Sequence, residues 1–525
     1  MGVKNIMMQV KDGIMLNKIN LIKGNMYVKA INLDDWETRE GIYNGPHDYT
    51  ISNEKWEKVN VGSYWEGRDN VTKWFKRTIT IPEDYDGEKV VLDIEVGGEG
   101  LVYIDGKIKS AITSYIMPND ATRTRVLISE SAKGGTTFEI LIEAGLNYME
   151  FARYRARGQK SVNYQFRNAK LAVVDTKVES YYFDALVTYE AMQVIGGNIL
   201  DPSWMSYISI PQDIKQMLLK LNGDSTIYAK VLDALQSSLA VVDVDLSRDA
   251  LVNSLYKAHK ILWDKLEAIS YTPQATISFT GHSHIDTAWL WPIKETIRKC
   301  SRTFANTIAL LDEYPEHNFA QSQPQLYEYT KKYYPELYSM IKEKVAEGSW
   351  ELVGNSWVEC DTNIPSGESL VRQILYGRNF FKEEFGKWSK ILWMPDVFGY
   401  SWALPQIIKR SGMEYFMTAK LNNNDVNRFP YTLFWWQGID GTMVLSYLQR
   451  VSYNGNINPS YMINAWNRFD EKECLSEAMV TYGYGDGGGG PTYEMLEFSK
   501  RLKSFPGLPK AELKSAGSFF DDATQ

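Results

Sequence analysis

Cysteine, excess positive charge and long apolar runs are all scarce in this sequence, and each shortage excludes a class of protein. Three cysteines occur, Cys300, Cys360 and Cys474. They are far apart and odd in number, so neither a disulfide framework nor a CxxC metal site fits, and a reducing compartment is the natural reading. Against 65 Asp and Glu stand 57 Lys and Arg, a net charge of -8, which offers phosphate backbones and anionic lipid surfaces no general attraction. No stretch approaches the roughly 18–20 continuous apolar residues that span a bilayer. The opening run MGVKNIMMQVKDGIMLNKINLIKG is broken every few residues by Lys, Asp or Asn and builds no signal-peptide core. Gly2 is no myristoylation signal, because Ile6 stands where Ser or Thr is needed. The expectation is a soluble, cytoplasmic protein that binds neither nucleic acid nor membrane, with a homo-oligomer left open.

What is present suffices for several cores. The chain has 525 residues, 44% hydrophobic and 13% aromatic, which predicts three or four domains. Short β-like runs with turn signals fill about 50–180, with Asp-Gly at 86–87 and 105–106. We expect an N-terminal β-sandwich domain over 1–180. Trp56, Trp65, Trp74 and Phe75 read as its core, with a sugar-stacking face as the alternative. A helical segment follows over 181–272, carried by DIKQMLLKLN, AKVLDALQSSLAVV and DALVNSLYKAHKILWDKLEAI, whose apolar residues recur at three and four positions. His259 in the last of these is a surface or packing residue. From 273 to 525 seven β candidates, beginning at Ala275, His317, Trp350, Lys390, Glu414, Thr442 and Ala478, alternate with helical stretches. Repeated β-α units imply a parallel sheet. A seven-stranded (β/α) barrel is the expected form, and an open doubly wound sheet is the alternative.

The chemistry gathers at strand ends. In GHSHIDTAWLW at 281–291, His282, His284 and Asp286 stand at i, i+2 and i+4, which an extended strand puts on one face. Imidazole and carboxylate are ordinary ligands of a borderline divalent cation such as zinc; the bland alternative is three solvated polar groups. Asp396 ends the hydrophobic run KILWMPD, and Asp486 ends MVTYGYGD. In parallel β/α folds such termini converge on one mouth. The glycines at 487–490 lack the lysine and serine or threonine of a phosphate loop, and read instead as backbone that approaches a ligand closely or flexes over it. Trp289 and Trp291 are a hydrophobic wall for a sugar ring, with plain packing the alternative for Trp291.

The segments GHSHIDTAWLWP, SQPQLYEY, WELVGNSWVECDTNIPSGESLVRQ, WMPDVFGYS, TAKLNNNDVNRFPYTLFWWQGIDG and YGYGDGGGGPT together closely resemble glycoside hydrolase family 38, the zinc-dependent α-mannosidases, above all its cytosolic and bacterial branch. The resemblance implies a catalytic barrel that cleaves terminal α-mannosides with retention. It implies zinc on His284, Asp286 and Asp396, with Asp396 also the nucleophile and Asp486 the acid/base. It implies a stacking role for Trp289, a basic residue near the nucleophile at Lys420, and His282 as a neighbour that orients the site. The implied partner is a mannose-containing oligosaccharide or glycoside.

One departure stands out. The family supplies a further zinc-binding histidine after the barrel and then large β-rich domains, whereas here no histidine follows His317 and the text stops at FFDDATQ. His317 precedes its strand and is a poor substitute. The expectation is a chain resembling the front half of a longer protein, with weak zinc binding and low or no mannosidase activity. The competing classes are a metal-dependent carbohydrate deacetylase or amidohydrolase, which needs more histidines on later strands, and a non-catalytic carbohydrate-binding fragment.

Overall fold

Period-two text folds as strands because alternate side chains reach one buried layer. The computed structural model describes residues 3–116, 121–197, 224–424 and 426–524. Two antiparallel sheets make the N-terminal sandwich. One runs Tyr27–Asn32, Asn168–Val174, Val90–Glu95 and Arg125–Ser129; the other has eight strands, among them Trp36–Gly45, Val71–Thr80, Thr137–Gly145, Glu99–Ile104 and Lys107–Ile116, with Ala121–Arg123 at its edge. Leu92 and Ile94 of the first meet Trp36, Phe75 and Ile140 of the second in a dry core. Trp65, Trp74 and Phe75 are buried, and Trp56 lies under Arg39 and Lys76; these aromatics pack rather than face a sugar. Asp105 and Gly106, both with positive φ, make the expected tight hairpin. Asp86-Gly87 does not, because the strands on either side of it belong to different sheets.

Helix Tyr148–Arg155 stands inside the stretch expected to be β-rich, and so does a longer one, Val3–Lys23. It packs on Thr176–Ile195, which in turn packs on Ser225–Ala240 and Arg248–Glu267. Asp175 and Asp224 cap two of these helices by accepting main-chain N–H bonds. The helical expectation for 213–222 lies outside the described residues.

All seven β candidates become strands: Thr276–Gly281, Phe319–Gln321, Trp350–Leu352, Ile391–Met394, Tyr415–Thr418, Met443–Leu448 and Glu477–Tyr482. Two more were not expected, Leu433–Gln437, antiparallel to Met443–Leu448, and Lys510–Leu513, parallel to Thr276–Gly281. The ladders do not close into one ring. They form three sheets, joined at their seams by single contacts such as the His282–Ala320 bridge and the Gly354 N–H bond to Ile391 O. At the amino ends Lys510–Leu513 takes the edge of the first strand, so the second strand reaches it only at His282. Helix Ala516–Ala523 then fills that end, with Phe520 stacked on Tyr415 at 4.8 Å and Phe519 edge-on to Tyr447.

Helix Ile293–Glu313 lies between sandwich and parallel strands. Its sequence is rich in charge, yet Arg298, Lys299 and Arg302 are no more than 3% exposed. Each is matched by an acid: Glu99 takes Lys299 at 2.8 Å and also Arg302, Glu143 takes Arg298 at 3.1 Å, and Glu295 takes Arg302 at 2.8 Å. Glu99 and Glu143 come from the sandwich, so the two regions share one buried ion network. Breaking such a network by removing one partner costs more than forming it contributes.

The parallel region packs around Trp350, fully buried among Phe304, Phe319 and Tyr327, with its indole N–H on the Tyr327 hydroxyl at 2.9 Å. Trp350→Ala should therefore cost about 3–5 kcal/mol, read as a lowered midpoint in urea unfolding. A change below about 1 kcal/mol would show that this site collapses without a cavity.

Candidate active site

Six of the parallel strands send a polar side chain from beyond their carboxyl ends toward one point. Thr276–Gly281 is followed by His284 and Asp286, Trp350–Leu352 by Glu359, Ile391–Met394 by Asp396, and Tyr415–Thr418 by Lys420. Met443–Leu448 is followed by Tyr453 and Asn454, and Glu477–Tyr482 by Asp486. One donor atom from each of His284, Asp286, Asp396 and Asp486 lies within 4.8 Å of all the others.

His284 is the hub. Its Nδ1 faces Glu359 Oε1 at 3.3 Å, which fixes the ring. Its Nε2 stands 3.5 Å from Asp286 Oδ1 and 3.5 Å from Asp396 Oδ2, and this buried atom has no hydrogen-bond partner. Burial pushes the imidazole down, but the carboxylate of Glu359, then those of Asp286 and Asp396, hold it well above the usual imidazole range. The pocket therefore demands a cation at that point, either a proton on Nε2 or a divalent metal among the three donors. A buried nitrogen aimed between two carboxylate oxygens, with a carboxylate behind the ring, is the donor set a borderline divalent ion takes.

His282 departs from the one-face reading. The strand ends at Gly281, and the backbone beyond it turns His282 away from the cluster. Its Nδ1–H donates to Ala320 O at 2.8 Å, and its Nε2 accepts from the Trp393 indole. Burial pushes it down to about 3, so it is neutral and pins the first strand to its neighbours. His317 is buried against the Tyr482 hydroxyl at 2.6 Å. His259 pairs with Asp184 on the helical segment. Of the five histidines, His284 alone belongs to the donor cluster.

The two strand-end carboxylates occupy different environments. Burial opposes ionisation of Asp396, but His284 and the Lys420 ammonium, 2.5 Å from Oδ1, hold it well below the usual carboxylate range. Asp486 is pushed above that range, first by burial and then by the charges of Asp396 and Asp286, against the pull of His284. Tyr453 lies between them, its hydroxyl 2.6 Å from Asp396 Oδ1 and 2.8 Å from Asp486 Oδ1. A phenol carries one proton. If it donates to ionised Asp396, the remaining contact is satisfied when protonated Asp486 donates to the phenol oxygen. Asn454 Nδ2 donates to the other Asp486 oxygen at 2.9 Å, and Asn454 Oδ1 accepts from Gly485 N. Both oxygens of Asp486 are engaged in this way, although one of them lies within 4.8 Å of the donor atoms of His284, Asp286 and Asp396.

Trp289 is 51% exposed and meets Trp291 edge-on at 5.9 Å, whereas Trp291 is buried and donates to Thr296 Oγ1. Trp291 is therefore packing. The glycine run differs from its sequence reading: its close neighbours are protein. A Cβ at Gly485 would meet Asn454 Oδ1 at 2.2 Å, one at Gly487 would meet Met149 at 2.6 Å, and one at Gly489 would meet Ile116 at 2.9 Å. Glu359, Tyr453 and Asn454 were missed from sequence. The acidic E-C-D run after Trp350–Leu352 and the aromatic-amide pair after Met443–Leu448 were the available signals.

Residues 274–525 match the glycosyl hydrolases family 38 N-terminal domain, and 29–172 match the jelly roll domain of alpha-mannosidase. Alpha-mannosidase G of Dictyostelium discoideum is 31% identical over 96% of this chain and 44% of its own length. Human alpha-mannosidase 2C1 is 36% identical over 86% of this chain and 40% of its own, and a Saccharomyces cerevisiae alpha-mannosidase 31% identical over 86% and 40%. This chain thus spans about two-fifths of the length of these relatives.

Removing His284 should remove the metal site. In equilibrium dialysis with Zn(II) or Co(II), His284→Ala should weaken binding at least about tenfold, and Glu359→Gln, which frees the ring, by about 10-fold to 100-fold. Undiminished binding in His284→Ala would disprove the assignment.

Proposed function

The chain belongs to glycosyl hydrolase family 38, and from that premise we propose that it provides the catalytic site of a cytoplasmic retaining α-mannosidase acting on terminal α-D-mannosides. The single observation that carries this reading is the opposed pair of carboxylates, Asp396 shifted toward its ionised form and Asp486 toward its protonated form, with one tyrosine between them. Retaining glycosidases need such a pair about 5–5.5 Å apart, and the 4.8 Å limit on the donor atoms is compatible with that spacing. We read the seven parallel strands as the staves of a (β/α) barrel over 273–525, preceded by a sandwich over 1–180 and a helical segment over 181–272. The matched range 274–525 supports the start of the barrel, and 29–172 falls within the sandwich region. Among the described residues no helix is long and apolar enough to cross a membrane.

In this mechanism ionised Asp396 attacks the anomeric carbon through an oxocarbenium-like transition state, while Asp486 gives its proton to the departing glycosidic oxygen. Mannosyl is then esterified to Asp396. Asp486, now ionised, takes a proton from water, which attacks the same carbon and releases mannose with retained configuration. Lys420 keeps Asp396 ionised, and Tyr453 holds the acid and nucleophile in register. Trp289 offers its exposed face to the sugar's apolar side. Zinc on His284, Asp286 and Asp396 would supply the positive charge that gathers vicinal sugar hydroxyls. The deacetylase and amidohydrolase readings lack support, because no second imidazole joins His284 in the cluster.

Two outcomes test the proposal. Asp396→Ala should lower turnover of an aryl α-mannoside by about 10^4-fold or more, and proton NMR should show α-mannose as the first product. In kcat/KM, activity should fall as pH rises through the elevated Asp486 value, because the acid must be protonated. It should persist below the ordinary carboxylate range on the acid side, because Asp396 must be ionised and is held low. An alkaline limb unchanged in Asp486→Asn would rule out Asp486 as the acid.

A further inference from the structure

The loop that carries Asp486 is held through its main-chain oxygens. Lys299 Nζ donates to Gly487 O at 3.2 Å, Thr303 Oγ1 to Gly488 O, Arg123 Nη1 to Gly489 O, and Asn306 Nδ2 to Pro491 O at 3.0 Å. Lys299, Thr303 and Asn306 stand on helix Ile293–Glu313, but Arg123 belongs to the edge strand of the sandwich. The sandwich also grips Lys299, through Glu99 at 2.8 and 3.1 Å. Arg123 is itself oriented by Nε donating to Ala111 O at 2.9 Å. Met149 and Ile116 of the sandwich side press against Gly487 and Gly489 so closely that a Cβ would not fit.

This grip bears on Asp486 because its backbone is left-handed, with φ 54°. A non-glycine residue keeps that conformation only where its surroundings over-determine it. On one side Asp486 is held by Asn454, which binds both its carboxylate and Gly485 N. On the other side lie the tied carbonyls.

We propose that Arg123 is a positioning residue for the general acid: the N-terminal sandwich, through Arg123 and the Glu99–Lys299 pair, holds the 487–491 loop and so fixes where Asp486 points. This rests on Asp486 being the acid. A displaced acid fails selectively. A leaving group that must be protonated suffers, whereas one that departs as a stable anion does not.

The test uses the full chain and Arg123→Ala, with methyl α-mannoside as the poor leaving group and 2,4-dinitrophenyl α-mannoside as the good one. Small misplacements of a catalytic group cost up to about 100-fold. We therefore expect kcat/KM, which reports the glycosylation step, to fall at least about tenfold on the methyl glycoside and by less than about threefold on the dinitrophenyl glycoside. Hydrogen exchange of the 485–490 amides should accelerate, while that of Ile391–Met394 stays as in the parent. Arg123→Lys, which keeps the charge but not the two-pronged donor, should show the same selectivity at smaller amplitude, and serves if Arg123→Ala does not fold. Equal losses on both substrates, no loss on either, or unchanged loop exchange would overturn the proposal. If the parent chain hydrolyses neither glycoside, the glycosidase reading fails by itself, and the loop exchange still decides the positioning role.

Discussion

Buried negative charge that must be balanced is the constraint on which the rest of this structure depends. Glu359, Asp286, Asp396 and Asp486 converge on one imidazole, and Lys420 pairs with Asp396 in their midst. Carboxylates cannot share so small and dry a space fully ionised. The fold resolves this unevenly: the charge on Asp396 is stabilised by the Lys420 side, whereas Asp486, more deeply buried, is driven toward its neutral form. Division of labour between two identical side chains follows from their surroundings alone, which is how acid and nucleophile roles separate in general.

The same principle recurs where the sandwich meets helix Ile293–Glu313. There the charges balance pair by pair, and the outcome is rigidity rather than reactivity. Glu99 and Glu143 on one side, with Lys299, Arg298 and Arg302 on the other, are held by buried ion pairs. A network of this kind contributes modestly to stability but strongly selects one docking geometry. The sandwich is thus a part of the architecture around the loop that carries Asp486 and not a detached appendage.

Much of this was legible in the sequence where local pattern and final environment coincide. Strands followed by His284, Asp396 and Asp486 could be read because hydrophobic runs that stop at an imidazole or a carboxylate are visible in the text. Glu359, Tyr453 and Asn454 were not, because each sits in a loop of ordinary composition and gains meaning only from residues brought close by the fold. Helix Ile293–Glu313 misleads for a related reason: ETIRKCSRTF looks like a solvated face, and its burial depends on acids some 150 to 200 residues earlier. His282 was drawn toward its neighbours by spacing, but the regular strand ends at Gly281, before all three residues, and does not keep them on one face. Lys510–Leu513 was passed over because four residues of mixed polarity carry almost no periodic signal.

The glycines after Asp486 have a consequence for how such proteins diverge. Since Met149 and Ile116 fill the room that side chains at 487 and 489 would need, bulk can be added on one side only where it is surrendered on the other. Two stretches more than 300 residues apart are therefore free to drift only as size-matched partners, and a chimera that exchanges the sandwich between distant homologues would inherit a misfit in the loop beneath it before any contact with a sugar is altered.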